Sequence, residues 1–319
     1  MADELIEALR SGKLPAVRAA IKADPAKAQH PRYVVEAGRL AFQEAFELLW
    51  KSGADLNAIW RGYRPLHALL QEDPHAAAGK PTPERLACLD WLLRHGADPE
   101  QLAAWPAARA IIIAAFVGQP EYVKRLKKAG AKMDGFAAAA LGDLKSVEKT
   151  LRQRAEFARE RDSGGLTALQ CGAGSRYPGA NTLDIARLLL DAGADLDAKT
   201  KSWSHDVDAM YFAASSKNKA IFELFLDRGG DSTEALVHAL WGPGEEFAEL
   251  AIAHGAEPDR AIAEGKPLLN HLIQWGQIKP ALWLLKIGAS PNIADSKLRM
   301  DRRSPGSLAR QCPHDACGG

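Results

Sequence analysis

The chain has little cysteine: four in 319 residues, Cys88, Cys171, Cys312 and Cys317. These are too few and too scattered for the disulfide framework of a small secreted domain. It has no charge excess, with 41 Lys and Arg against 40 Asp and Glu. Nucleic-acid binders carry a basic surplus because their affinity comes from neutralising phosphates, so this balance disfavours a nucleic-acid partner. No stretch reaches the roughly 18 apolar residues that suggest a membrane span. The opening Met1-Ala-Asp-Glu-Leu-Ile-Glu7 is acidic where a secretory leader is basic and then apolar. These absences lead to the expectation of a cytoplasmic protein with no membrane partner.

Catalytic and phosphate-binding motifs are missing too. Gly-Lys occurs at 12–13, 79–80 and 265–266, but Leu14, Pro81 and Pro267 follow, not the Ser or Thr that would hold magnesium. There is no His-Glu-x-x-His and no Gly-x-Ser-x-Gly. The chain is therefore expected not to be an enzyme and to use no cofactor. Two clusters invite a metal reading. Cys312, His314 and Cys317 offer two thiolates and an imidazole, but a structural zinc site takes four ligands in an ordered setting. His205, Asp206 and Asp208 precede a helical segment at 209–215, where an Asp serves as a helix cap. No metal is expected at either.

What the chain has is 47% hydrophobic residues, enough for an extensive core, and internal repetition. An apolar helical segment ending in Gly-Ala-Asp or a near variant recurs at 48–57, 91–100, 188–197, 224–232, 250–259 and 283–292, with a weaker copy at 125–134. The glycines are Gly53, Gly96, Gly130, Gly193, Gly229, Gly255 and Gly288, at intervals of 43, 34, 63, 36, 26 and 33. The 63-residue gap has room for a copy without its glycine, at 151–155. Apolar residues three, four and five positions before every one of these glycines except Gly130 make a broad helical stripe. The glycine then suits the left-handed position that ends a helix, and the Asp or Asn after it suits a turn. Further on, Arg64-Pro65-Leu66-His67 opens a new helix, echoed by Leu166-Thr-Ala-Leu169, Lys266-Pro-Leu268 and Ser304-Pro305.

These words and their ~33-residue spacing resemble the ankyrin repeat family. The resemblance implies an all-α fold: an ankyrin-type helix–turn–helix solenoid of about nine irregular repeats over residues 1–311. Some of its hairpin loops are cut short, after Gly130 and after Gly229. Residues 304–311 are read as a partial cap and 312–319 as a disordered tail. The loops at 71–83 and 174–181 fall between the two helices of a unit, at the end away from the projecting hairpins. In the family pattern His67 is structural. Cys88 and Cys171 lie on apolar helical faces and are read as core, as are Trp50, Trp91 and Trp283; Trp105, Trp241 and Trp275 are left open.

The resemblance further implies protein–protein recognition on the concave surface of hairpins and first helices, by a monomer. Two hairpins stand out. Trp60, Arg61 and Tyr63 lie on one; Lys199, Lys201, Trp203 and His205 lie on the other. A Trp on a hairpin either folds back on its neighbour or anchors a partner, since Trp, Tyr and Arg dominate interface hot spots. The adjacent Arg and Lys favour an acidic protein partner. The rival reading is a repeat-scaffold enzyme or small-molecule binder, which needs converging polar groups in a pocket.

Overall fold

A computed structural model describes residues 3–71, 80–104, 106–202, 205–260 and 266–292. The described residues are mostly helical. In chain order the helices are α1 (Glu4–Arg10), α2 (Leu14–Ala23), α3 (Pro31–Leu40), α4 (Gln43–Lys51), α5 (Pro65–Gln71), α6 (Pro83–Arg94), α7 (Ala110–Val117), α8 (Pro120–Lys128), α9 (Gly135–Leu141), α10 (Leu144–Gln153), α11 (Ala168–Ala173), α12 (Thr182–Asp191), α13 (Ala209–Ser216), α14 (Lys219–Asp227), α15 (Ser232–Trp241), α16 (Glu245–Ala253), α17 (Leu268–Gln274) and α18 (Ile278–Lys286). Consecutive helices form pairs. One short antiparallel ribbon, β1 (Thr200–Lys201) with β2 (Asp206–Val207), interrupts them. No described helix is long and apolar enough to cross a membrane. The chain divides into two compact units, Met1–Phe225 and Leu226–Gly319.

Local chemistry sets the helix ends. Pro31, Pro65, Pro83 and Pro120 each open a helix, where the missing N–H costs nothing. Thr82, Asp134, Asp143 and Asp208 cap the next helix with a side-chain oxygen. Thr167 and Gln170 bond reciprocally in a full capping box. All seven recurrent glycines adopt the left-handed conformation expected of them. At the copy without a glycine, α10 ends on an extended Arg154, and a 3-10 turn at Ala155–Arg159 takes over. The same device follows α2, at Pro25–Gln29.

In the first unit the helices pack in two rows. First helices meet first helices, from α1 through α3, α5, α7, α9 and α11 to α13; second helices meet in the series α2, α4, α6, α8, and again between α10 and α12. Small residues bring the first row close. α9 (Gly-Phe-Ala-Ala-Ala-Ala-Leu) is buried along its whole length, and so are α11 and residues 65–70 of α5. The first helices at the centre of this unit therefore expose almost no side chain. Of the tryptophans read as core, Trp91 and Trp283 are buried, but Trp50 is 42% exposed. The reason is register: Trp91 and Trp283 stand five residues before their glycines, in mid-stripe. Trp50 stands three before, at the stripe's edge, with its ring edge-on to Trp91 and His95. Cys88 and Cys171 are fully buried, and burial pushes the Cys88 thiol up to about 12.

The ends of the first helices are stitched together. Arg85 donates to the carbonyls of Leu69 and Arg39, at 2.5 and 3.0 Å, joining α5 to α3. The 174–181 loop runs over α7, α9 and α13. Arg176 N–H donates to Ala115 O, Asn181 N–H to Gly142 O, and the Arg176 guanidinium to Ser215 O. Only glycine fits at 142, because a Cβ there meets Ala180 Cα at 2.4 Å. These bonds satisfy carbonyls that a helix C-terminus leaves open. The loop expected at 71–83 lies mostly outside the described residues, as do Trp105, the cap at 304–311 and the tail with Cys312, His314 and Cys317.

Candidate interaction surface

The hairpin after α4 begins with the Gly53 turn, where Asp55 accepts the Asn57 N–H at 2.8 Å. Trp60 and Tyr63 then pair across a two-residue turn, with N–H to O distances of 2.8 and 3.0 Å. The two residues between them, Arg61 (φ 49°) and Gly62 (φ 82°), are both left-handed, which matches the twist of a two-residue hairpin. Both flanks hold it. Trp60 meets His30 edge-on at 4.9 Å on the preceding side. On the following side Gly62 O accepts from Ala104 N and Arg64 donates to Leu102 O, while a second Arg64 bond, to Asn57 O, closes the hairpin on itself. Arg39 lies 4.9 Å over the Tyr63 ring, and Arg61 lies 5.9 Å over Trp60. Trp60 and Tyr63 are half-buried, Arg61 is exposed, and Ile59 beside them is 50% exposed.

The second hairpin carries β1 and β2. Lys199 Nζ bonds Asp208 Oδ2 at 2.6 Å, while Asp208 Oδ1 accepts the Tyr211 N–H at 3.0 Å and caps α13. Asp208 is buried, and Lys199 is exposed over about a third of its side chain, 38%. The Thr200 hydroxyl lies 2.7 Å from Gln170 Oε1 and 2.8 Å from Gly165 O, which ties β1 to the α11 capping box. Gln170 Nε2 in turn donates to Ala198 O at 2.7 Å. Lys201 and His205 are exposed, and His205 lies edge-on to Tyr211 at 6.3 Å. Trp203 lies outside the described residues. Trp60, Arg61 and Tyr63 thus share one hairpin, and Lys199, Lys201 and His205 share another. The connections at 97–109, 129–134 and 154–167 lie between the two in the chain.

Buried polar groups fix these hairpins from below. His67 is fully buried, and its Nε2 lies 3.0 Å from Ala108 O. A carbonyl only accepts, so Nε2 carries the proton; Nδ1 has no partner. Burial pushes this imidazole down to about 4. Arg109, 4% exposed, grips both oxygens of Asp134 at 2.7 and 2.8 Å and reaches Glu100 at 3.3 Å. Asp162 accepts N–H bonds from Gly164 and Leu166, yet burial raises its pKa. These are positions that orient hairpins.

Sequence reasoning missed Ile59 and His30. Ile59 is one apolar residue in a polar turn, a signal too short to register. His30 is 30 residues from Trp60 and meets it only through the fold. A groove of about 570 Å³ lies between α10 and α12, lined by Glu148, Leu151, Arg152, Leu188, Asp191 and Ala192. It is wide open, with an aliphatic floor.

No curated protein matches the chain. The α11–α12 pair, from the Gly164–Gly165 turn through the Thr167 capping box and the Gly193 turn into β1, has the geometry that the repeated sequence words imply. Residues 164–201 match the family model of the ankyrin repeat, so the resemblance read from the sequence holds there and the chain carries an ankyrin repeat.

Proposed function

We propose that this chain is a non-catalytic protein-interaction module that engages a protein partner through its hairpin tips. Ankyrin repeats generally bind other proteins, and that general role supports the reading. The observation that carries it is the tip at 59–61: Ile59 is 50% exposed beside a half-buried Trp60 and an exposed Arg61, on a turn held from both flanks. A rigid turn loses little conformational freedom when it binds, so its apolar contacts convert efficiently into affinity. The proposed contact set is Trp60, Arg61 and Tyr63 with Ile59 on the first hairpin, and Lys199, Lys201, Trp203 and His205 on the second. Arg61, Lys199 and Lys201 favour acidic groups opposite them. The burial of the central first helices leaves the tips as the accessible part of the surface first expected. We also propose that the repeat pattern extends through residues 1–311.

Full-length protein with an affinity tag, wild type beside Trp60→Ala and Ile59→Glu, tests the reading by quantitative capture from the native host. One partner should be enriched on wild type and fall at least about tenfold on both variants, with melting temperatures unchanged. Equal capture by all three, or a large drop in melting temperature for Trp60→Ala with affinity intact, overturns the hairpin assignment.

A further inference from the structure

The second unit contains an exposed face that repeat stacking does not account for. Ile273, Trp275, Ile278, Leu282, Leu285 and Ile287 are between 39% and 63% exposed, all within α17, α18 and their flanks. Ile278, Leu282 and Leu285 stand at i, i+4 and i+7, one stripe along α18. Scattered apolar residues need no explanation, but an exposed apolar stripe along one helix is the pattern of an interaction site.

Alignment on the terminal glycines shows how α18 departs from the pattern. The residue six before the glycine is Glu47, Asp90, Lys124, Arg187, Glu223 and Glu249 in the other six helices, and Leu282 in α18. That position is charged in every other copy. It stays exposed in α8, α12, α14 and α16, and in α6 it forms an ion pair, Asp90 with Arg125. It is an outward position of the repeat, so one more stacked repeat is not what Leu282 awaits. Residues 266–292 also carry Lys266, Lys279 and Lys286 and no acid. A symmetric contact with a second copy would set lysines against lysines. A narrow apolar stripe with Lys279 and Lys286 along one side complements an amphipathic helix with acidic residues beside its apolar face.

We propose that the α17–α18 face is a second docking surface, which seats an acidic amphipathic helix of another protein along Ile278, Leu282 and Leu285. This rests on the reading of the chain as a protein-interaction module and adds a site separate from the hairpin tips. The probe is a synthetic helical peptide with leucines at i, i+4 and i+7 and glutamates on both flanks, titrated against the full chain by fluorescence anisotropy. Saturable binding is expected, weakened at least about tenfold by Leu282→Glu. A peptide with lysines for glutamates should bind at least about tenfold more weakly. Leu282→Glu supplies the residue type found at this position elsewhere, so its melting temperature should match wild type; Ile278→Gln serves if it does not fold. Trp60→Ala should leave peptide binding intact, so loss of the hairpin partner and loss of the peptide report on different surfaces. Absence of peptide binding, or equal binding by Leu282→Glu, overturns the proposal. So does binding to phosphatidylserine vesicles, or a concentration-dependent dimer, that Leu282→Glu abolishes in place of peptide binding.

Discussion

Helices α12 and α18 end on nearly the same words, Leu188-Leu-Leu-Asp-Ala-Gly-Ala194 and Trp283-Leu-Leu-Lys-Ile-Gly-Ala289, yet their outer faces differ. Leu189 and Leu284, each four residues before the glycine, are both fully buried. Six before it, α12 has the exposed Arg187, and α18 has Leu282, 60% exposed. The inward half of the repeat is constrained by packing, which punishes any change of volume. The outward half is constrained only by solubility, and where it turns apolar without a neighbour the cause lies outside the repeat pattern.

The largest expected effect breaks this comparison directly. Leu189→Ala should cost about 2–5 kcal/mol in urea unfolding, through lost transfer energy and a cavity. Leu282→Ala, at an exposed site, should stay within about 0.5 kcal/mol. Comparable losses would mean that Leu282 is a packing residue and would remove the α18 contrast.

The next test turns on His67. Its pKa is depressed in the native state, to about 4 from 6.5, so the unfolded chain takes up the proton first as the pH falls. The stabilisation is complete above pH 6.5 and is lost as the pH drops toward 4, by up to about 3 kcal/mol. Urea midpoints of wild type and His67→Gln should therefore converge at low pH, and a constant gap would show that His67 titrates freely. The smallest effect belongs to the second hairpin. Lys199 is partly exposed in its pair with Asp208, and Lys199→Met should cost only about 1 kcal/mol by thermal unfolding. A loss several times larger would show that the pair holds the ribbon in place.

Much of the fold was legible because its signals are local. The glycine turns, the helix start at Pro65 and the caps at Thr167 and Asp208 act within four residues of one another, and the structure has them where the pattern implied. The shortened links after Gly130 and Gly229 were equally visible, since α9 starts at Gly135 and α15 at Ser232. The tips were legible only as places. The segment holding Trp60 could be identified, but not that His30 supports its ring or that Ile59 lies exposed beside it. Trp50 shows the limit within one helix: the stripe rule placed it in the core, and a two-residue offset from Trp91's position moved it to the edge.

The sequence by itself determined the repeat word, the helix ends and the identity of the charged and aromatic residues on each hairpin, because each depends on backbone preference and short-range bonding. Tertiary structure alone decided the rest. It buried the central first helices, ran the 174–181 loop across α7, α9 and α13, locked Arg109 onto Asp134, and left Ile278, Leu282 and Leu285 uncovered. Exposure is a property of what lies opposite a side chain. The same sequence word acquires a different surface wherever its neighbours differ.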